Sequence, residues 1–209
     1  ATMVEAAKAL DLPRPWYLLA HSMGGCIGLR ALMEGLDVEA SAFTGPMWGI
    51  RIAPHMRPPA WVLGYLMPAL GQGHRLPPST RIEPYVIWSP FEDNMLTTDR
   101  VMFDMMRDQL KAHPELELGG PSFVWLREAL VETTHLLKRP SPDVPSIVFM
   151  GSNERVVHIQ RMQERVERWS NSRLEIVEGA EHEVLMEGPG TTVRLFDAIA
   201  AHFYGSSRE

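Results

Sequence analysis

The chain has 209 residues, 45% of them apolar, and a formal net charge of −6. That length is enough for one sizeable core, and an acidic balance without a basic run excludes a nucleic-acid partner and strong adhesion to anionic lipid. A single cysteine, Cys26, rules out an internal disulfide, and the sequence has no paired-cysteine zinc pattern, phosphate-loop lysine or internal repeat.

In chain order, Met3 to Leu10 reads as a helix. Trp16 to Leu19, following Pro13 and Pro15, reads as a buried strand of a mostly parallel sheet. Ile27, Leu29, Ala31, Leu32 and Leu36 then recur at helical spacing, and Gly35 is placed to end that helix. Ser22, within "AHSMGG", therefore sits on a strand-to-helix turn among the small residues Ala20, Gly24 and Gly25. Such a turn is either punctuation, as in nucleotide-binding folds, or a nucleophile elbow, whose strained backbone holds a serine oxygen clear of the chain. Cys26 falls inside the helix and reads as a small buried hydrophobe. A second strand is expected at Ala40 to Pro46.

The stretch from Met47 to Pro142 breaks the alternation of strand and helix and is rich in proline and methionine. The apolar run in "PPAWVLGYLMPALGQG" is too short to cross a bilayer. "TTDRVMFDMMRDQLKAH" reads as an amphipathic helix with Thr98 as N-cap and Val101, Met102, Met105, Met106 and Leu110 on or near its apolar face, and "SFVWLREALVETTHLL" reads as another. The expectation is a helical cap packed on the sheet. Trp61, Tyr65, Met102, Met106 and Trp125 would then line an adaptable acyl-chain pocket over Ser22.

The last third restores the alternation. Ile147 to Met150 reads as a strand, followed by Gly151 and a polar loop carrying Glu154, where a parallel sheet presents its chemistry. A charged helix at Ile159 to Trp169, a final strand at Leu174 to Val177, His182 in the next loop and a closing helix in "TVRLFDAIAAHFYG" complete the chain. The plain readings are that Glu154 is a solvated charge and that His182 is a surface histidine among Glu178, Glu181, Glu183 and Glu187. The histidines His21, His55, His74, His113, His135, His158 and His202 compete as a base. His21 adjoins Ser22, but neighbours on an extended segment point apart, so it reads as a packing or hydrogen-bonding residue. Only His182 occupies the loop after the final strand, which sets serine, acid and histidine in the order of an elbow-type hydrolase.

The segments "AHSMGG", "GSNERVV" and "GAEHEVLME" together resemble the α/β-hydrolase superfamily, in its lysophospholipase and monoacylglycerol lipase-like branch. "NMLTTDR" and "GGPSFVWLREAL" resemble its bacterial lysophospholipase-like members. Here Ala20 stands where the usual pattern has glycine. The resemblance implies an α/β fold, the C-terminal part of an α/β-hydrolase: a mostly parallel sheet flanked by helices. Residues 1–46 would form the elbow part, 47–142 the cap and 143–209 the rest of the core. It implies Ser22 as nucleophile, Glu154 as acid, His182 as base and the Met23 N–H as one oxyanion donor, with no cofactor and no metal. The implied activity is hydrolysis of carboxylic esters through an acyl-enzyme, on a lysophospholipid or a monoacylglycerol. The rivals are a small-ester or peptidase-like hydrolase and a non-catalytic binding fragment of the same fold. An elbow so near residue 1 implies that the first half of the sheet, with the second oxyanion N–H, lies upstream. No secretory signal opens this sequence, and the expected location is cytoplasmic, with at most weak peripheral contact with a membrane.

Overall fold

The computed structural model describes residues 2–78 and 80–206. Its centre is a four-stranded, all-parallel sheet in the order β1-β2-β3-β4: Tyr17–His21, Ala40–Thr44, Ser146–Gly151 and Ser172–Val177. The central strands β2 and β3 are buried at every residue, as expected of apolar runs covered on both faces.

The helices are α1 (Thr2–Ala9), α2 (Ser22–Met33), α3 (Arg57–Ala69), α4 (Tyr85–Trp88), α5 (Arg100–Ala112), α6 (Phe123–Lys138), α7 (Ile159–Glu167) and α8 (Pro189–Ser206). Strand alternation divides the core into two layers. Ala20, Phe43, Val148 and Met150 face Leu29 and Leu32 of α2, Ala129 and Leu136 of α6 and Met162 of α7. Ala42, Ile147, Phe149 and Val177 face Leu195 and Ile199 of α8. Phe43 anchors the first layer, with its ring centroid 5.2 Å from that of Trp48 and 6.1 Å from that of Trp169.

Within the stretch 47–142, α3 packs on α6, and α6 packs on α2. Helix α5 starts one residue later than expected. Its N-cap is Asp99, which accepts from the Met102 N–H at 2.9 Å, because the Thr98 hydroxyl is taken by Glu187. Among the described residues, no helix is long and apolar enough to cross a membrane. Cys26 is 4% exposed. Burial, reinforced by the Glu132 charge and opposed by Arg30, pushes its thiol up to about 12.

Gly151 ends β3 where the chain after β4 crosses over it. A Cβ at this position would lie 2.3 Å from the carbonyl oxygens of both Ala180 and Glu181. Gly151→Ala should therefore destabilise the fold by about 1–3 kcal/mol in urea denaturation, the range for overpacking. Gly24→Ala places its methyl where nothing lies within 4 Å and should change stability by less than about 0.5 kcal/mol unfavourably.

Candidate active site

Ser22 joins β1 to α2 with φ at +48°, a left-handed conformation that costs a non-glycine residue about 1–2 kcal/mol. The turn is held from both sides. β1 pairs with β2 up to His21, α2 buries Leu29 and Leu32, and the Ser22 carbonyl accepts from the Met47 N–H at 2.8 Å. The serine hydroxyl is thereby lifted toward the loops beyond the other strand ends.

The loop after β4 brings His182 to it. His182 Nε2 lies 2.9 Å from Ser22 Oγ, and Nδ1 lies 2.7 Å from Glu154 Oε2. A carboxylate only accepts, so Nδ1–H donates to Glu154 and Nε2 is left to accept from the serine hydroxyl. Glu154 Oε1 accepts from the Val156 and Val157 N–H groups at 2.6 and 3.1 Å. Both Glu154 and His182 are 3% exposed, so neither is the solvated surface group of the plain reading. Burial alone would raise the Glu154 pKa. The His182 hydrogen bond and charge, with the two backbone donors, outweigh burial and hold the carboxyl below its ordinary value.

Of the acidic residues around His182, Glu178 is exposed, whereas Glu181, Glu183 and Glu187 are structural partners rather than a solvated patch. Glu187, 3% exposed, accepts from the Glu181 N–H at 2.7 Å and the Thr98 N–H at 2.9 Å. Glu181 pairs with Arg155 at 3.1 Å, and Arg155 also donates to the Asn94 carbonyl at 2.6 Å. The segment around "NMLTTDR" runs beside the histidine loop: the His182 N–H donates to the Met95 carbonyl at 3.2 Å and the Glu183 N–H to that of Leu96 at 2.7 Å. Asn94 Oδ1 fixes that segment by accepting from the Leu96 and Thr97 N–H groups. Gly45, with φ at +47°, leaves room for the imidazole, since a Cβ there would lie 3.0 Å from His182 Nδ1.

His21 makes a second histidine–carboxylate pair beside the first. Its Nδ1 is 3.0 Å from Thr44 Oγ1, and its Nε2 is 3.1 Å from Glu183 Oε1, an ion-pair distance off the line of a good hydrogen bond. Burial would raise the Glu183 pKa, but the neighbouring His21 and His182 imidazoles outweigh it and keep the carboxyl below its ordinary value. His21, His182 and Glu183 offer ligand atoms within 4.8 Å of one another. His182 is already engaged between Glu154 and Ser22, so this trio reads as a hydrogen-bonded support.

The remaining candidates divide into two groups. Met23 is the second residue of α2, where a backbone N–H has no partner within its own helix. Its sulfur lies 3.3 Å from Trp125 Nε1, which sets Trp125 beside the elbow. Trp61 and Tyr65 stack with centroids 6.1 Å apart on α3, the neighbour of α6. Met102 and Met106 stand on α5, which turns Phe103 toward Phe91 and packs on α4, so five residues expected in one pocket come from two separate helix packings. Sequence reading missed Thr44, Asn94, Arg155 and Glu187 as supports. The signals at hand were the segments "NMLTTDR", "GSNERVV" and "GAEHEVLME", which contain Asn94, Arg155 and Glu187; Thr44 had none.

A family model described as Hydrolase_4, serine aminopeptidase S33, matches residues 1–189. The chain belongs to the Hydrolase_4 family. It is 31% identical to lysophospholipase L2 of Escherichia coli (strain K12) over 194 residues, an alignment covering 84% of this chain and 54% of that protein. It is 28% identical to the probable lysophospholipase L2 of Haemophilus influenzae over 195 residues, covering 90% and 59%. The chain thus spans little more than half the length of these relatives. Among solved structures it is similar to a soluble variant of monoglyceride lipase from Saccharomyces cerevisiae bound to a substrate analog, with a TM-score of 0.69, 17% identity, and 97% of this chain and 65% of that one covered. A monoacylglycerol lipase from Paleococcus ferrophilus gives a TM-score of 0.65 at 15% identity, covering 97% and 73%. These likenesses establish the α/β-hydrolase fold for this Hydrolase_4 chain.

The lowered Glu154 pKa carries a sign for stability. The carboxylate's contribution is complete above the ordinary value of 4.5 and is lost as pH falls through the lower folded value. Urea denaturation of wild type and Glu154→Gln at successive pH values should show the wild type losing more stability on acidification than the variant. Parallel curves would mean that Glu154 carries no such charge.

Proposed function

We propose that this Hydrolase_4 chain is a serine carboxylic-ester hydrolase that cleaves monoacyl lipids, a lysophospholipid or a monoacylglycerol, through an acyl-enzyme. The observation that carries the reading is the continuous hydrogen-bonded line from Glu154 through His182 to Ser22, at 2.7 and 2.9 Å. His182 Nε2 takes the hydroxyl proton as Ser22 Oγ attacks the acyl carbonyl. Glu154 steadies the imidazolium, and the Met23 N–H faces the developing oxyanion from the start of α2. His182 then returns the proton to the departing alcohol, and water repeats the sequence on the acyl-enzyme to release the acid.

The lipid preference is supported by the lysophospholipase names of the sequence relatives and by the aromatic surface above the elbow. Val62, Tyr65, Leu66 and Leu70 on and just after α3 are exposed apolar groups through which the protein would meet an aggregated lipid. The description of the family as a serine aminopeptidase favours the peptidase alternative, which an aminoacyl amide substrate tests directly.

Intact mass after treatment with a fluorophosphonate should show one adduct on wild type and none on Ser22→Ala. The same substitution should lower ester turnover by about a millionfold, while Glu154→Gln should lower it on the order of ten-thousandfold with the fold retained. Efficiency should rise from acetyl to long-chain acyl esters. A preference for acetate, or faster cleavage of the amide, would replace the lipid reading.

A further inference from the structure

Beside the histidine and acid loops lies a cavity of about 790 Å³ whose charged lining is entirely basic, Arg51, Arg57 and Arg155, with His158, Met95 and Pro54 among its other walls. Its position is set by the catalytic framework itself. The Met95 carbonyl accepts from the His182 N–H, and Arg155 follows Glu154 directly in the chain. The opposite wall is joined to the acid loop by the Ile50–Val157 bridge, and Val157 is one of the two residues that donate to Glu154. A ligand in this cavity would therefore touch residues adjoining both the base and the acid.

The charges are not equally committed. Arg155 is matched to Glu181 and Asp93. Arg51 donates only to the Arg155 carbonyl, and Arg57, half-buried at the start of α3, has neither a hydrogen bond nor an ion pair among the described residues. Two guanidinium groups thus face a shared space without a carboxylate of their own among the described residues, in a chain of net charge −6. His158 registers that field: burial and the positive charges of Arg57 and Arg161 keep it below its ordinary pKa. The acids nearest the cavity, Glu92, Asp93 and Glu181, line an adjoining groove that shares Arg51, Arg155 and His158 with it. Paired guanidinium forks without carboxylate partners match the geometry and charge of a phosphate group.

We propose that Arg51 and Arg57 form a phosphate-binding subsite that takes the headgroup of a lysophospholipid while its acyl ester lies at Ser22. The inference rests on the ester-hydrolase reading and narrows it, because a monoacylglycerol has no phosphate to place there. Preference between the two lipids is then an electrostatic property of this cavity rather than of the acyl surface on α3 and α6.

The test compares kcat/KM for a palmitoyl lysophosphatidylethanolamine and for monopalmitoylglycerol in wild type, Arg51→Gln, Arg57→Gln and Arg57→Lys. Each glutamine variant should lose about tenfold on the lysophospholipid, the worth of a charge-assisted hydrogen bond, and change less than about twofold on the monoacylglycerol. Arg57→Lys should recover much of the loss. Equal losses on both lipids, or no loss on either, overturn the subsite. Calorimetric titration with glycerophosphate, which needs no turnover, should show binding to wild type that weakens in Arg57→Gln; absence of binding overturns the proposal. Inorganic phosphate that binds as tightly as glycerophosphate would assign the cavity to a free anion instead of a headgroup and also overturn it. If neither ester is hydrolysed, the ester-hydrolase reading fails, and the titration alone decides whether the cavity holds phosphate.

Discussion

A carboxylate removed from water is tolerable only when its oxygens are matched, and Glu154 is such a group. One oxygen is held by two successive backbone N–H groups and the other by the His182 ring. This requirement fixes the acid loop, because Val156 and Val157 can donate to it only if the chain turns back on itself after β3. It also fixes the imidazole, since the ring nitrogen facing Glu154 must carry the proton. The serine hydroxyl then meets the unprotonated nitrogen without any further adjustment.

A parallel sheet explains why three residues so far apart in sequence converge. All four strands end at the same edge, so the turn after β1, the loop after β3 and the loop after β4 open toward one another. The sheet brings the loops near, but it does not hold the last one in register. That is done by the segment 94–99, whose carbonyls receive the His182 and Glu183 N–H groups and whose threonines are gripped by the buried Glu187. Arg155 closes the circuit by linking the acid loop to Asn94 and Glu181. The stretch 47–142 therefore contributes to the scaffold of the candidate site.

The elements that sequence reading recovers are those announced by neighbours in the chain. Apolar runs mark β1 to β4, helical spacing marks α2 and α8, and small residues around Ser22 mark the turn. Ser22, Glu154 and His182 could be ordered because each follows a strand end. Long-range contacts left no comparable local trace. Thr98 is an acceptable cap on paper, and the distant Glu187, which takes its hydroxyl, leaves that role to Asp99. Glu181, Glu183 and Glu187 look like part of a solvated cluster because nothing in their own segment names Arg155, His21 or Thr98 as partners. The direction in which α5 packs depends on Phe91 and α4, which periodicity within α5 does not report.

Cys26 adds a consequence of a different kind. It lies one helical turn beyond Ser22, and the thiolate is the form that oxidants and electrophiles attack. A thiol pushed up to about 12 and shielded from solvent offers almost none of that form. Because the sequence has no other cysteine, it closes no disulfide of its own, and this thiol stays out of thiol–disulfide exchange beside the serine turn.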